Sequence, residues 1–550
     1  MAENPQQQQQ EPMEEGVVPQ SEPLSADQVQ NSAGGFGWVV DDMCRVRRFV
    51  FMGAESPTYY VTQPKLAKEN ATALFNLISA GKGKEVVEMI EKYSVEGRAA
   101  KQDPIIFCLA ACARCNHEDT KKAAYESLNK ILRIPTHLFT FVELCECLSS
   151  PKTGWGRAHR KGIANWYDSK KGKNLANHVT KYKQRNGWSH KDMFRLCHIK
   201  PTSPSVAFVV KYVVKGLEAV TEQATSSGVS QDIVEVYDFL KMTEDAKTMS
   251  VDELCAAIRS HGLVREHIPS EHLNNVEIWK ALLEKMPMTA MIRNLGKMTA
   301  IKVLEPLSDE AGKVCDMLRN EKSLKDARIH PFNVLLALHQ YKKGHGDKGK
   351  LKWEPNAAVV SALDAAFYLS FKNVEPTNKR FLLAMDVSGS MTWGECNGAP
   401  GITPAVASAA MAMVVARKEP NHCFVGFSTN LVPLSINETM KLDEVIQVIQ
   451  SVPMGGTDCA QPMIYATQKK LKVDVFIVYT DCETWAGPIH PSEALKKYRA
   501  ESGIDAKLIV CAMTSNGFTL ADPNDPGMLD MAGFDSAAPQ VMNEFILGNI

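Results

Sequence analysis

Helical periodicity dominates the chain from about residue 60 to residue 370. In segments such as "ATALFNLISAGKGKEVVEMIEKYS" and "HPFNVLLALHQYKK", apolar residues recur at i, i+3, i+4 and i+7, which places them on one face of a helix. The short breaks carry Gly, Pro or Asn, as in "AGKG" and "RIPTH", and we find no convincing strand signal. The pattern predicts helical hairpins stacked as an all-α solenoid rather than a compact bundle.

The pattern changes near residue 380. Apolar runs such as "RFLLAMDV" and "VDVFIVYTD" are typical of buried strands, and they alternate with helical segments such as "AVASAAMAMVVAR". This alternation predicts right-handed crossovers and a mostly parallel sheet covered on both faces. The sequence therefore predicts a multidomain protein, with an all-α domain over 36–375 and an α/β domain over 376–550.

The first 35 residues are acidic, glutamine-rich and poor in aromatic residues, which predicts a disordered tail over 1–35. The fourteen cysteines lack the density of a disulfide scaffold and are expected to be free thiols in a reducing compartment. The sequence shows neither a signal peptide nor an apolar run of membrane-spanning length. We expect a monomer of the cytoplasm, and also of the nucleus, without membrane association.

The formal charge of −1 conceals two regions of opposite sign. Residues 151–200 contain thirteen lysines and arginines against two aspartates, a local charge of +11, whereas residues 381–550 carry a charge of −8. Like charges at helical spacing destabilise a helix, so a basic stripe without partners favours an external polyanion. The usual one is nucleic acid, and a merely solvated basic surface is the alternative.

The basic residues fall into three sets. If "NHVTKYKQRN" and "HKDMFRLCHIK" are both helical, each presents one basic face. The segment "GWGRAHRKGIANWY" adds a third set beside the aromatic residues Trp155, Trp166 and Tyr167, which could stack on unpaired bases. The candidate nucleic-acid ligands are His178, Lys181 and Arg185, then Lys191, Arg195 and His198, and finally Arg157, Arg160 and Lys161 with His159 beside them.

Hydroxyl and carboxylate side chains follow the predicted strands of the α/β domain. They are Asp386, Ser388 and Ser390 in "DVSGS", Thr457 in "GGTDC" and Asp481 in "YTDCET". Loops at the carboxyl ends of parallel strands meet at one edge of a sheet, and hard oxygen ligands suit a divalent ion such as Mg²⁺. "DVSGS" alone would be explained as a helix cap at a βα turn.

The three segments together resemble the metal-ion-dependent adhesion site of von Willebrand factor A domains. The resemblance implies that Asp386, Ser388, Ser390 and Thr457 surround the ion and that Asp481 acts through water. A phosphatase of the haloacid dehalogenase type is disfavoured, because Ser388 stands where its general acid would be. A phosphate-binding P-loop is absent from the sequence.

Longer motifs extend the resemblance to most of the chain. "RIPTHLFTF", "VTKYKQRNGWSHKD", "LVREHIPSEHL" and "ARIHPF", followed by "DVSGSM" and "GGTDC", resemble the Ro family of RNA-binding TROVE-domain proteins. The resemblance implies a ring of HEAT-like helical repeats closed by the A domain. It further implies that Y RNA binds the outer surface, at Lys181, Arg185 and His198, and that single-stranded 3′ ends of misfolded noncoding RNA enter the central hole.

Two cysteine-containing motifs are expected to form neither a zinc site nor a reactive thiol. Cys108, Cys112 and Cys115 lie near His117, but their i, i+4, i+7 spacing fits one buried helix face better than a zinc site. Cys482 follows Asp481 and is expected to be partly exposed but inert.

The sequence thus predicts a noncatalytic RNA-binding protein of small noncoding ribonucleoproteins that acts in RNA stabilisation and quality control. Its A domain would use a divalent ion to dock a protein ligand. The alternative is a protein-interaction scaffold whose basic helices bind an acidic protein. A metal-dependent hydrolase is a third hypothesis, without an activated nucleophile to support it.

Overall fold

The computed structural model describes residues 17–54, 56, 58–59, 61–149, 154–346, 350–371 and 374–550. The first sixteen residues of the predicted tail lie outside these ranges. Within them, no helix combines the length and apolar character that crossing a membrane requires.

The first two thirds of the chain are helical, as the periodicity predicts. The helices are α1 (Asp42–Met52), α2 (Gln63–Ser79), α3 (Gly83–Glu96), α4 (Asp103–Arg114), α5 (Glu118–Glu126), α6 (Leu128–Ile131), α7 (Pro135–Cys147), α8 (Arg157–Asp168), α9 (Gly172–Lys181), α10 (His190–Cys197), α11 (Pro204–Lys215), α12 (Glu218–Thr225), α13 (Gln231–Asp245), α14 (Val251–His261), α15 (Val276–Leu283), α16 (Met288–Ala300), α17 (Asp309–Arg319), α18 (Glu321–Asp326), α19 (Pro331–Lys343) and α20 (Ala357–Leu369). Short 3₁₀ turns at Arg265–His267 and Ser270–Asn274 precede α15.

These helices pack mainly on their near neighbours in sequence. Helix α4 packs on α7, α9 on α11 and α13, α14 on α15, and α17 and α19 on α20. Their apolar faces share one continuous core that includes the fully buried rings of Trp166 and Trp279. Because each element depends on the next, the helices form an extended array rather than a bundle around a single centre.

The two ends of this array meet. His330, at the start of α19, donates a hydrogen bond of 2.9 Å from Nε2 to the carbonyl oxygen of Arg98 after α3. Beside it, the Asn333 amide donates to the carbonyl oxygen of Ala100 at 3.1 Å. Residues more than 230 positions apart are therefore in direct contact, and the array closes into a ring.

The α/β domain completes the ring. Four short strands precede this domain along the chain: β1 (Gln28–Gln30), β2 (Phe36–Val39), β3 (Gln184–Arg185) and β4 (Trp188–Ser189). The strands within the domain are β5 (Phe381–Asp386), β6 (His422–Phe427), β7 (Leu431–Leu434), β8 (Val475–Thr480), β9 (Lys507–Ala512), β10 (Phe518–Thr519) and β11 (Met528–Ala532). The helices of this domain are α21 (Pro404–Ala416), α22 (Leu442–Gln450), α23 (Gln461–Gln468), α24 (Pro491–Ser502) and α25 (Ala538–Leu547), with 3₁₀ turns at Gly389–Thr392 and Cys396–Gly398.

The main sheet has the order β11-β9-β8-β5-β6-β7. All its pairs are parallel except β6 with β7, which makes β7 an antiparallel edge strand. The predicted strands correspond to β5, β6, β8 and β9, whereas β7 and β11 have no counterpart in the prediction. Strands β5 and β8 are buried along their whole length, so their loops at the carboxyl edge are held on a rigid base.

The prediction of a disordered tail is wrong for residues 17–35. Strand β1 pairs with β2, and β2 pairs with β10 of the α/β domain, in a small antiparallel sheet. Gln20 is fully buried against the same domain. The segment has few apolar side chains, and its order comes from backbone pairing and polar contacts to residues more than 430 positions away.

Ion pairs join the ring to the α/β domain. The Arg98 guanidinium, 9% exposed, donates from Nε to Asp535 at 2.9 Å and makes a second bond to the same carboxylate. Arg48 of α1, 1% exposed, pairs with Asp530 of β11 and donates to the carbonyl oxygen of Phe518 at 2.7 Å. Both arginines are buried and have their shortest ion pairs with the α/β domain, although Glu96 of α3 also lies 3.6 Å from the Arg98 guanidinium.

Replacing Asp535 by Asn removes the charge beside Arg98 while keeping the size of the side chain. We expect the free energy of unfolding in urea to fall by about 3 kcal/mol, because a buried guanidinium loses its two-bond counter-ion and keeps only the longer pair with Glu96 at 3.6 Å. Replacing Asp245, which forms an exposed ion pair with Lys241, should lower the free energy of unfolding by less than about 0.5 kcal/mol. Equal effects of the two substitutions would contradict a closing role for the Arg98–Asp535 pair.

Candidate nucleic-acid interface and candidate metal centre

The predicted stripe of His178, Lys181 and Arg185 is divided between two elements. Helix α9 ends at Lys181, and Arg185 lies in β3, where it pairs with Trp188 of β4. Asn186 makes the turn with φ of 52° and Gly187 with φ of 78°. Two consecutive residues at positive φ form a type I′ hairpin turn, for which Asn-Gly is the preferred sequence. The prediction that Arg185 lies on one helical face with Lys181 is therefore wrong, and the "NG" dipeptide was the sequence signal for the hairpin turn.

The second predicted set is mostly confirmed in its placement. Lys191 and Arg195 lie one turn apart on α10, which begins with a capping box made by Ser189 and Asp192. His198 does not continue the helix but caps its C-terminus with φ of 52°. Arg195 and His198 are exposed, as is Arg185 on the adjacent hairpin. The sequence order thus brings these basic side chains together on the hairpin and the helix that follows it.

Two of the histidines in this segment do not carry positive charge. His159 is 1% exposed, its Nδ1 lies 3.1 Å from the Tyr125 hydroxyl, and burial followed by the charge of Arg114 lowers its pKa to about 3. The half-buried His178 stacks on Trp166, and burial followed by the charges of neighbouring lysines lowers its pKa to about 4. The prediction that these two histidines contribute to the positive surface is therefore wrong, because packing keeps both rings neutral.

The third set lies on the first turn of α8. Arg157, Arg160 and Lys161 are exposed, and the Arg160 Nε donates to the carbonyl oxygen of Trp155 at 2.7 Å. Trp166 and Tyr167 are fully buried, so neither ring is available to stack on a base.

The exposed basic side chains have few acidic partners. Lys181 approaches Glu266, with 3.9 Å between Nζ and the carboxylate, and its Nζ lies 5.1 Å from the centroid of the Tyr182 ring. Among the described residues, none of the remaining basic side chains of the three sets has an ion pair, namely Arg157, Arg160, Lys161, Arg185, Lys191 and Arg195. We name the group of Lys181, Arg185, Lys191, Arg195 and His198 the hairpin surface. Its charge is available to an external polyanion.

The predicted metal ligands lie together at the carboxyl edge of the main sheet. Strands β5 and β8 are parallel neighbours, so Asp386 at the end of β5 lies close to Asp481 just after β8. Asp386 accepts hydrogen bonds from the Ser388 backbone N–H at 2.9 Å and from the Thr480 hydroxyl at 2.6 Å. The Ser388 and Ser390 hydroxyls are 3.1 Å apart, and Ser390 also hydrogen-bonds to Asp481.

The geometry disfavours the explanation of "DVSGS" as a capped turn. Ser388 stands at the N-cap position of the 3₁₀ turn Gly389–Thr392, but its side chain makes no capping hydrogen bond. It faces the Ser390 hydroxyl instead.

The site contains negative charge that the protein does not neutralise. Asp386 and Asp481 are 1% and 3% exposed, and within the described ranges neither has an ion pair with a lysine or arginine. Burial, together with the charge of Asp481, raises the pKa of Asp386 to about 7. Burial also raises the pKa of Asp481. Two buried carboxylates that disfavour each other's ionisation are stabilised by a shared cation.

Thr457 has a side chain whose hydrogen-bonding capacity the described part of the protein does not use. Its hydroxyl is buried and has no hydrogen-bond partner among the described residues. Its carbonyl oxygen, in contrast, accepts from the backbone N–H groups of Trp485 and Ala486, both at 3.0 Å. A buried hydroxyl without a partner, in a loop that is hydrogen-bonded to the loop after β8, fits a divalent ion that prefers oxygen.

The candidate ligands of this centre differ from those of a metal site in which most ligands are charged. Nowhere in the described part of the chain do three or more His, Cys, Asp or Glu side chains form an arrangement that could hold a metal ion. The candidate centre therefore depends on the hydroxyls of Ser388, Ser390 and Thr457. The same finding disfavours zinc at Cys108, Cys112 and Cys115, of which the first two are buried in the α4 core.

Sequence reasoning missed two residues that support this centre. Glu483 is buried beside Asp481, and burial followed by the charge of Asp481 raises its pKa to about 7. It accepts from the Ser32 backbone N–H at 2.8 Å. Gln20 donates to Asp458, next to Thr457, at 2.7 Å and accepts from Thr484. The N-terminal segment thus holds two of the three loops of the centre, and no local sequence signal indicates this contact.

The structure differs from the expectation that Cys482 is partly exposed. The side chain is 1% exposed rather than partly exposed, because its backbone turns inward with φ of 65°. Burial raises the pKa of the thiol well above its usual value, so the expected inertness has a physical basis.

Models of two protein domains cover nearly all of the described chain. The TROVE domain matches residues 29–340, and the Ro60 vWA domain matches residues 380–546. The chain belongs to the Ro60 family. The family match begins inside the predicted tail, in agreement with the order seen from β1 onward.

Relatives extend over the whole chain. It is 38% identical to "RNA-binding protein RO60" of Caenorhabditis elegans over 600 residues, which cover 97% of this chain and 92% of that protein. It is also 38% identical to the protein of the same name from Deinococcus radiodurans over 537 residues, with coverage of 97% and 98%.

A solved structure agrees with the fold. The crystal structure of the Deinococcus radiodurans Ro (RSR) protein aligns with a TM-score of 0.67 at 36% identity, and covers 93% of this chain and 100% of that one. The resemblance seen in the sequence motifs is confirmed, and so is the fold class of a helical ring with an A domain.

The neutral histidines of this Ro60-family chain predict a specific pH dependence. An imidazole with a pKa of about 3 in the folded state and about 6.5 in the unfolded state stabilises the fold above pH 6.5 and loses that stabilisation as the pH falls. Replacing His159 by Phe removes the effect. Between pH 8 and pH 5.5 the wild type should lose about 1.4 kcal/mol of unfolding free energy relative to the variant.

Urea unfolding of both proteins at the two pH values measures this difference. The variant is expected to be less stable at pH 8, because it loses the hydrogen bond with Tyr125. A constant difference between the two proteins across this pH range would show that folding does not lower the pKa of His159.

Proposed function

We propose that this chain binds structured small noncoding RNA through the hairpin surface. The observation that carries the proposal is the exposed, largely unpaired positive charge that β3, the following turn and α10 bring together. Phosphate groups are the partner that such charge favours. The names of the two relatives, both RNA-binding proteins, support the same class of ligand.

The proposed ligands are Y RNA on the outer surface of the ring and misfolded noncoding RNA with a single-stranded 3′ end in its central hole. The proposed role is RNA stabilisation and quality control in the cytoplasm and nucleus, without catalysis. The α/β domain, with its charge of −8, repels phosphate and leaves RNA binding to the helical ring.

We further propose that the A-domain centre binds Mg²⁺ and docks a protein ligand. Asp386, Ser388, Ser390 and Thr457 would hold the ion, with Asp481 behind them. The support is the pair of buried carboxylates, which have no lysine or arginine partner among the described residues, and the Thr457 hydroxyl, which has no hydrogen-bond partner among them. An ion held by few charged ligands keeps positive charge and can accept a carboxylate from a partner.

Replacing Lys181 and Arg185 by Ala tests the RNA proposal. For about six neutralised phosphates, binding of a structured RNA hairpin should depend on salt with a log–log slope of about −4 to −5. The double variant should bind more weakly and lower the magnitude of that slope by about 2.

Filter binding at several salt concentrations measures both quantities. The matched control is the double replacement of Lys82 and Lys84 by Ala, two exposed lysines at the start of α3, which should leave affinity unchanged. If the Lys181/Arg185 variant matches wild type at physiological salt, the hairpin surface is not the RNA site.

Thermal denaturation of the full-length chain tests the metal proposal. Millimolar Mg²⁺ should raise the melting temperature of wild type relative to chelator, because ligand binding to the folded state stabilises it. Replacing Asp386 by Asn should abolish this difference and should stabilise the chelated protein, since the repulsion with Asp481 is lost.

The control is the replacement of Asp505 by Asn, an almost fully exposed carboxylate of the same domain, which should keep the response to Mg²⁺. Hairpin RNA binding by the Asp386 variant should equal that of wild type. Identical melting of wild type in Mg²⁺ and in chelator would remove the physical basis of metal-dependent docking.

A further inference from the structure

The N-terminal segment, residues 17–35, docks on the α/β domain through polar contacts. All of its residues are described; those that are buried are Gln20, Gln28, Asn31 and Gly35, and no apolar side chain of this stretch is buried. An apolar contact is non-directional and tolerates small displacements, whereas a hydrogen bond weakens steeply with distance and angle. The segment therefore fits only one arrangement of the loops that receive it.

Gln20 joins two loops of the candidate metal centre through one side chain. Its Nε2 donates to the carboxylate of Asp458, next to Thr457, at 2.7 Å and to the carbonyl oxygen of Ile489 at 2.8 Å. Its Oε1 accepts from the Thr484 hydroxyl in the loop after β8. The fully buried amide thus uses both its nitrogen and its oxygen to hold the Thr457 loop against the loop after β8.

Further along the segment, more hydrogen bonds reach the loop after β8. The Asn31 amide donates to the carbonyl oxygen of Thr484 at 2.7 Å, and the Ser32 backbone N–H donates to the Glu483 carboxylate at 2.8 Å. Glu483 and Thr484 follow the candidate ligand Asp481 within three residues. The segment therefore fixes the stretch of backbone that begins with Asp481.

Two glycines permit a very close approach between the segment and these loops. A Cβ added to Gly35 would overlap the carbonyl oxygen of Thr484. One added to Gly487, in the loop after β8, would overlap both the Asp458 carboxylate and the Gln20 amide. The segment and the two loops therefore interlock, and neither can shift without displacing the other.

The same two loops carry Thr457 and Asp481 of the candidate metal centre. They contact each other directly, because the backbone N–H groups of Trp485 and Ala486 donate to the Thr457 carbonyl oxygen. Docking of the segment and binding of a divalent ion thus require the same relative position of the two loops. Two binding events that favour one conformation stabilise each other, and the gain is equal in both directions.

We propose that the N-terminal segment controls the affinity of the α/β domain for a divalent ion, with Gln20 as the positioning residue. The docked segment holds the Thr457 loop and the loop after β8 in the arrangement that binds the ion. Ion binding, in turn, makes the segment harder to detach. This inference rests on the proposed function, because it assumes that the centre binds Mg²⁺.

Calorimetric titration of the full-length chain with Mg²⁺ tests the role of Gln20. Gln20→Ala removes the side chain that joins the two loops, and it should weaken Mg²⁺ binding about fivefold to tenfold, as is usual for coupled sites. The matched control is Gln30→Ala, because Gln30 is an exposed residue of the same segment whose amide donates to the carbonyl oxygen of Gly34. The control should bind Mg²⁺ with wild-type affinity.

Hydrogen exchange of the wild-type chain, followed by mass spectrometry, measures the coupling in the reverse direction. Saturating Mg²⁺ should slow exchange of peptides from residues 17–35 about fivefold to tenfold, because the coupling is reciprocal. Asp386→Asn should abolish this protection, which shows that it originates at the candidate metal centre.

The outcomes separate this proposal from the metal centre itself. If wild type does not bind Mg²⁺, the proposed metal centre fails and the coupling fails with it. If wild type binds Mg²⁺ but Gln20→Ala binds it equally well, the metal centre stands and the coupling is overturned, even where Gln20→Ala lowers the melting temperature. Should Gln20→Ala not fold, exchange of the wild-type segment decides: rates that Mg²⁺ leaves unchanged overturn the coupling.

Discussion

The buried ion pairs of Arg48 and Arg98 with the α/β domain hold that domain against the helical ring. A stack of helices that contact mainly their neighbours has no intrinsic reason to close, since small changes in each packing angle accumulate along the array. Closure requires a contact that joins its two ends, and His330 and Asn333 make it with the backbone of Arg98 and Ala100. The α/β domain fixes the N-terminal side of this junction, because Asp530 and Asp535 pair with the buried guanidinium groups of Arg48 and Arg98. The ring and the A domain are therefore parts of one folding unit rather than two independent modules.

The same arrangement separates two kinds of electrostatic site. The helical ring carries arginines and lysines without acidic partners, while the α/β domain buries carboxylates without basic partners. Phosphate is attracted to the first and repelled by the second, and a divalent cation has the opposite preference. Under the proposed function, one chain would hold an RNA on the ring and a metal-dependent ligand on the α/β domain without competition between them.

Local sequence patterns predicted the elements whose stability is local. Amphipathic helices such as α2, α3 and α19, and the buried strands β5 and β8, carry their signal within one segment, and the hydroxyl and carboxylate residues of the metal centre followed from them. The 184–189 hairpin was missed because the periodic spacing of Lys181 and Arg185 was preferred over the Asn186-Gly187 turn, although two left-handed residues in succession end a helix.

The remaining errors have a different origin. Neutral His159 and His178 could not be recognised, since their charge depends on burial by residues that the segment itself does not contain. Gln20 and Glu483 support the candidate metal centre through contacts between the N-terminal segment and the α/β domain. No sequence periodicity indicates such a contact, and a segment with few apolar residues is predicted to be disordered when its partners are unknown.

The pairing of the N-terminal segment with the α/β domain has a consequence for biosynthesis. Gln20 is made early, but its partner Asp458 follows 438 residues later. At ribosomal rates of about 5 to 20 residues per second, that delay is roughly 20 to 90 seconds. Throughout this interval β2 lacks its partner β10, and its edge is open to other chains. Gln20 and β2 are thus made long before the segments that hold them in place.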